Sequence, residues 1–219
     1  MAIKAAIFDM DGLLIDSEPL WQQAAFEVFA GYNKSITLKQ YETVTGLRTK
    51  EFIEHWFTYF GLPEHLQPKA VDDIFELVKE KISKHPSIMP GVQYIIEYFL
   101  KKDCRIGIAT SSPKLIADMV IELMGIRKVL DAISTAEHLP YGKPHPQVYI
   151  NCAAALMVPA TECICFEDSF NGLIAAKAAR MKCVVVPAGH LASDHRWGAA
   201  DLKISSLQNF NDLLIQHLL

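Results

Sequence analysis

Short apolar runs, each ending in polar residues, punctuate this chain: Ala5-Ala6-Ile7-Phe8, Arg105-Ile106-Gly107-Ile108-Ala109, Cys163-Ile164-Cys165-Phe166 and Cys183-Val184-Val185-Val186. Continuous rather than alternating hydrophobicity over four or five residues fits strands buried on both faces, as in a parallel sheet. Between them, residues 91–102, 114–124, 147–156 and 171–180 read as helices, with Ser112-Pro113 and Pro146 as start signals. Strand alternating with helix predicts an α/β fold built on an open, doubly wound parallel sheet.

One region breaks the alternation. From Ser17 to about His85 no convincing strand occurs, yet Leu20, Trp21, Ala24, Ala25 and Val28 follow helical spacing, as do Val71, Ile74, Phe75, Val78 and Ile82. Pro63, Pro68 and Pro86 mark expected breaks. The economical reading is a helical cap of residues 17–86 inserted after the first strand, with residues 1–16 and 87–219 forming the core domain.

Composition narrows the function. Half of the 219 residues are apolar, enough for a sizeable core, and 21 Lys and Arg face 25 Asp and Glu. A mildly acidic balance gives no electrostatic footprint for nucleic acid or an anionic membrane, so the expected partner is a small molecule held locally. No stretch resembles a signal peptide or a bilayer span, which makes a cytoplasmic monomer the default expectation. Cys104, Cys152, Cys163, Cys165 and Cys183 are odd in number and lie in or beside apolar runs, which suits buried, reduced thiols.

Chemistry concentrates at the strand ends, where open α/β sheets bind ligands. Phe8-Asp9-Met10-Asp11-Gly12 puts two carboxylates on one side of an extended backbone and asks for a cation; the bland alternative is a solvated acidic turn. Thr110-Ser111-Ser112 offers hydroxyls and N–H groups at a helix start, either a phosphate cradle or simply a cap. In Gly142-Lys143-Pro144-His145-Pro146, prolines stiffen the segment that presents Lys143, and His145 reads as structural. Phe166-Glu167-Asp168-Ser169 places two carboxylates after a run that must be buried; capping of the next helix accounts for one of them but not comfortably for both.

These four segments, in this order and spanning nearly the whole chain, resemble the haloacid dehalogenase superfamily of phosphohydrolases. More narrowly, residues 8–21, 136–149 and 177–181 are similar to a bacterial subgroup acting on hexitol phosphates and 2-deoxyglucose 6-phosphate. The resemblance implies a phosphatase in which Asp9 is the nucleophile, Asp11 the general acid and base, and Thr110 and Lys143 hold the phosphoryl oxygens with the Ser111 N–H. It implies Mg2+ held by Asp9, the Asp11 carbonyl and Asp168, with Glu167 directly or through water, and Asn171 steadying the acidic loop. Substrate contacts are expected from Met10, Ser111, Glu18, Trp21, Gly46, Leu47 and Arg48, with Arg48 reaching sugar oxygens or a second anion.

Two rivals share parts of this pattern. Phosphosugar mutases of the β-phosphoglucomutase type resemble the chain but carry a His where Trp21 aligns, and its loss argues for hydrolysis. Phosphoacceptor switch modules resembling receiver domains also use acidic residues, Thr and Lys, but are about half as long and have no cap.

Overall fold

The computed structural model describes residues 3–218. Six parallel strands, β1 (Ala5–Phe8), β2 (Arg105–Thr110), β3 (Ala132–Thr135), β4 (Cys163–Glu167), β5 (Lys182–Val185) and β6 (Leu202–Lys203), lie in the order β3-β2-β1-β4-β5-β6. The chain builds outward from β1 to β3, then returns to the other side of β1. The order therefore reverses between β1 and β4, and at such a switch point the flanking connections diverge and leave a crevice.

Alternation along each strand explains the two cores. Ala6, Phe8, Ile108, Phe166 and Val184 face one side, while Ala5, Ile7, Ala109, Cys165 and Val185 face the other. The long excursion that leaves β1 carries α1 (Glu18–Gly31), α2 (Leu38–Glu42), α3 (Thr49–Phe60) and α4 (Gln67–Lys84), with α1 and α3 packed on α4. The first face is covered by α5 (Val92–Leu100), which precedes β2, and α6 (Lys114–Met124), which follows it. The second is covered by α7 (Gln147–Ala155) and α8 (Phe170–Ala178); α9 (Asp212–Leu218) closes the chain against the first. All five cysteines are buried free thiols. No helix is long and apolar enough to cross a membrane among the described residues.

Four rings knit the first core beneath the switch point. Phe8 and Phe166 stack with centroids 5.1 Å apart, and Phe99 and Phe210 close on them at 5.7 and 5.1 Å from Phe166. Since β1 and β4 carry the first two rings in register, this packing also fixes the relative height of the residues that follow the two strands.

Residues between β1 and α5 are helical apart from turns. Pro68 does not break its helix; it sits in the first turn of α4, where a missing N–H leaves no hydrogen bond unmade. The chain leaves and re-enters the sheet side by side: Asp16 N donates to Ser87 O (2.8 Å) and Met89 N to Leu14 O (3.0 Å), with Ile15 and Ile88 forming an antiparallel bridge. Two tethered crossings make a narrow neck between the insertion and the sheet.

Phe99 is fully buried among the other three rings, so Phe99→Ala should lower the unfolding free energy by about 3–5 kcal/mol, the cost of a large aromatic cavity. Urea denaturation measures this, and a loss below about 1 kcal/mol would mean that the ring cluster is not what sets the strand heights.

Candidate active site

Asp9 follows β1 and Glu167 ends β4, so the switch point brings two carboxylates together on neighbouring strands. Lys143 is inserted between them. Its Nζ donates to Asp9 Oδ1 and to Glu167 Oε1, each at 2.6 Å, with the side chain 1% exposed and the ammonium 5.0 Å from the centroid of the Tyr149 ring. An ammonium has three donors, so one remains to face the cavity. Glu167 also accepts from the Tyr149 hydroxyl through Oε1, and from Ser169 N (3.2 Å) and Oγ (3.1 Å) through Oε2. Four donors occupy its lone pairs, and its side chain does not reach the cavity wall.

Asp11 is held differently. Ser17 Oγ (2.7 Å) and Trp21 Nε1 (2.8 Å) donate to its Oδ1, while Ser112 Oγ (2.6 Å) and Thr110 Oγ1 (3.4 Å) donate to its Oδ2. Residues at the start of α1, the end of β2 and the loop after it thus fix both oxygens of one carboxylate. Trp21 also sets its ring edge-to-face on Phe75 at 6.3 Å, so the indole fills an apolar wall and spends its polar end on Asp11.

Asp168 completes the acidic group. It accepts no hydrogen bond among the described residues, and Gly12 makes room for it: at φ +77°, a Cβ there would collide with the Asp168 carboxylate. The helix-capping reading of these carboxylates is corrected by Ser169, whose Oγ accepts from Gly172 N (3.0 Å) at the start of α8. Asp168 is thereby left to the cavity, while Glu167 is taken up by Lys143, Tyr149 and Ser169.

These groups surround one cavity, with Thr110, Ser111 and Lys143 at the sheet end and Ala25, Tyr41, Val44, Phe52 and Ile74 of the insertion at the other. Glu18, Trp21, Gly46 and Leu47 line it as well. Two expected contacts do not. The side chain of Met10 is fully buried in the core, because the turn after β1 folds back over it with Leu14 N bonded to Met10 O (2.8 Å). Arg48 is 8% exposed and turned away from the cavity, its guanidinium occupied by carbonyls of residues 136–140. Asn171 does not steady the acidic loop either; its Nδ2 donates to Thr45 O (2.8 Å) in the insertion.

Charge is badly balanced in this space. Lys143 is the one cation among the described residues that line the cavity, facing Asp9, Asp11, Glu18 and Asp168 there and Glu167 behind. Burial lifts Asp9 to about 7 despite Lys143, with repulsion from Glu167 adding to it, and lifts Glu18 to about 8 with Asp11 and Asp9 adding. Asp168 is pushed well above the carboxylate range by burial first and then by Asp9 and Glu167. Lys143 is raised in turn: its two carboxylate partners outweigh burial. Oxygens of Asp9, Glu167 and Asp168 lie within 4.8 Å of one another, and an all-oxygen donor set with surplus negative charge suits a hard divalent cation such as Mg2+.

Ser17, Tyr41 and Tyr149 are neighbours of the site not anticipated from the sequence, and Ser112, expected in the hydroxyl loop as a phosphate cradle or cap, is found on Asp11. Ser17 and Trp21 do stand one helical turn apart, a spacing that puts both on one face.

A parallel sheet with acidic residues at its switch point and a helical excursion after β1 defines a doubly wound α/β protein that binds its ligand in the crevice between β1 and β4. The chain belongs to the haloacid dehalogenase-like hydrolase family, whose model matches residues 6–186. It is 39% identical over 206 residues to hexitol phosphatase B of Escherichia coli K12, covering 94% of this chain and 93% of that protein. It is 29% identical over 185 residues to the fructose-1-phosphate phosphatase YqaB of the same organism, covering 82% and 94%. The crystal structure of β-phosphoglucomutase from Clostridium difficile superposes with a TM-score of 0.87 at 23% identity, covering 98% and 96% of the two chains, a likeness of fold.

The acids generate a pH prediction. Asp9 and Glu18 have folded-state values above 3.8 and 4.5, so their contribution to stability is complete below those values and is lost as pH rises through about 7 and about 8. The Tm of metal-free protein should fall between about pH 4 and pH 8, and Mg2+ should raise it more at the alkaline end, because binding favours the ionised site. A Mg2+ gain larger at the acid end would contradict this electrostatic account.

Proposed function

We propose that this hydrolase removes the phosphate of a small sugar or sugar-alcohol monophosphate by way of a phosphorylated Asp9. The observation that carries the reading is the convergence of Asp9, Asp11, Lys143 and Asp168 with the hydroxyl loop 110–112 on one covered cavity. Its relatives include phosphatases named for hexitol and fructose 1-phosphate.

In the first step an oxygen of Asp9 forms a bond to phosphorus as the bond to the ester oxygen breaks, and Asp11 gives that departing oxygen a proton. In the second, Asp11 takes a proton from a water whose oxygen attacks phosphorus; the bond to Asp9 breaks and inorganic phosphate is released. Lys143 places positive charge beside the nucleophile and the phosphoryl oxygens, and Thr110 with the Ser111 N–H supplies neutral donors. Asp9 and Asp168 would hold Mg2+, with the Asp11 carbonyl expected from the family, and the ion would offset repulsion between carboxylate and phosphate. Glu167, its lone pairs filled, holds Lys143 instead.

Residues 17–86 act as a cap on this reading, excluding water and contacting the part of the substrate that does not react. Val44, Leu47, Phe52 and Ile74 face that part, and no cation lines this end of the cavity among the described residues. A second anionic group would be buried there unpaired, so the remainder of the substrate is uncharged.

Hydrolysis is favoured over isomerisation by Trp21. Its indole N–H donates to Asp11, at the position where the mutases carry a His. A panel of hexitol, deoxysugar, pentose and nucleoside monophosphates assayed with Mg2+ should yield inorganic phosphate, whereas sugar isomerisation without phosphate release would make the chain a mutase. Asp9→Asn should lower turnover by at least about 1000-fold, since it removes only the attacking anion, while the circular dichroism spectrum stays native. Turnover retained in that variant would exclude the covalent route.

A further inference from the structure

Arg48 and Glu51 stand on the inserted helices, about ninety residues from their partners in the chain, yet they hold the segment that delivers Lys143. Arg48 Nη1 donates to the carbonyls of Ala136 (2.9 Å) and Leu139 (2.6 Å), and Nη2 to that of Pro140 (3.2 Å) and to Glu51 Oε1 (2.7 Å). Glu51 Oε1 in turn accepts the N–H of Gly142 (2.9 Å). The fit is close: a Cβ on Gly142 would lie 2.5 Å from Glu51 Oε2 and 2.8 Å from Arg48 Cγ and Nε. Arg48 Nε is buried without a partner, so the guanidinium has given up part of its hydration to sit here.

From 136 to 142 the segment has little of its own to hold it. Its backbone bonds are Ala136 N to Thr110 O at one end, Leu139 N to Ala136 O within, and His145 N to Gly142 O just beyond. Pro140 has no N–H, and Tyr141 is 64% exposed. The carbonyl groups of Ala136, Leu139 and Pro140 and the Gly142 N–H therefore take partners from the cap, and Lys143 is the next residue.

We propose that Arg48 and Glu51 are positioning residues that act through Lys143, so that seating of the cap on residues 136–142 is what brings the ammonium to Asp9. The part played by Lys143 in phosphoryl transfer rests on the function proposed above; the mechanical link does not. With the cap lifted, the segment loses these polar contacts together and the lysine loses its register. Closure over the substrate and completion of the charged site become one event.

Hydrogen exchange tests the link without substrate or turnover. Arg48→Ala removes no acceptor from the amides of Gly142 and Lys143, yet should speed their exchange about tenfold while the amides of β1 and β4 keep their protection. Unchanged exchange at 142 and 143 would overturn the proposal, whatever the protein hydrolyses. Kinetics then separates positioning from substrate contact. Arg48→Ala, Glu51→Ala and Gly142→Ala should each lower kcat by about 10- to 100-fold with KM nearly constant, as expected when a reacting group is misplaced by about 1 Å. The double variant Arg48→Ala/Gly142→Ala should be no worse than the single ones, because both break the same contact. A rise in KM confined to Arg48→Ala, with Glu51→Ala and Gly142→Ala fully active, would make Arg48 a substrate ligand and refute the link.

Discussion

The shared ion pair of Lys143 with Asp9 and Glu167 is the constraint around which the rest is arranged. Taking an ionised carboxylate out of water costs several kcal/mol unless a charge and hydrogen bonds replace the solvent. One ammonium cannot satisfy the five acids gathered here, and the structure divides them by how each is satisfied. Glu167 is saturated by Lys143, Tyr149 and Ser169; Asp11 is saturated by two hydroxyls, an indole and a weaker threonine contact. Asp9 keeps one oxygen on Lys143, and Asp168 has no donor among the described residues. Glu18 has only the Tyr41 hydroxyl at 3.5 Å among the described residues, so the unsatisfied charge falls on Asp9, Asp168 and Glu18, and on the function proposed above the first two are the ones that would share a metal ion and a phosphoryl group.

That division depends on which parts of the chain are stiff. Asp9 and Glu167 leave adjacent strands whose heights are set by stacked Phe8 and Phe166, so the positions of these carboxylates are properties of the sheet. The groups that complete the site arrive on loops and on α1, through a neck closed by the pairing of Leu14 and Asp16 with Met89 and Ser87. A rigid half thus carries Asp9, and a half hung on two crossings carries the walls. Ser111 Oγ on Gly46 O (2.9 Å) and Asn171 Nδ2 on Thr45 O (2.8 Å) are further polar ties across the same seam. Spread over several loops, such contacts are individually weak, which suits a cover that must both exclude water and release product.

Much of this was legible in the sequence because the central strands are buried on both faces and end in acids. Those two facts give the sheet, the switch point and the four clustered motifs. The edge strands were not legible: Ala132–Thr135 is half-exposed along most of its length and Leu202–Lys203 has two residues, so neither makes an apolar run. Arg48 was misread for a different reason. A charged residue after a glycine looks like one facing a ligand, and its true partners are backbone carbonyls some ninety positions away, which no local pattern encodes. Trp21 was weighed as sugar platform or core filler, both uses of its ring, whereas the structure spends its N–H. Ser17 was hidden in the same way, since a serine near a helix start ordinarily caps it.

The use of an indole beside Asp11 has a chemical consequence that an imidazole would not have. Indole Nε1–H donates and cannot accept, so it holds Asp11 Oδ1 as an acceptor whether or not the acid carries a proton. Oδ2 faces hydroxyls instead, Ser112 at 2.6 Å and Thr110 at 3.4 Å, and a hydroxyl can turn from donor to acceptor by rotating one bond. On the function proposed above, the proton that Asp11 gives and recovers sits on Oδ2, whose neighbours are all hydroxyls, whereas Oδ1 is shared by Ser17 and an indole that does not exchange it. A histidine there could do both, and would offer a second proton to a second sugar oxygen. An acid that cycles one proton between leaving group and water suffices for hydrolysis, and the indole confines Asp11 to that cycle.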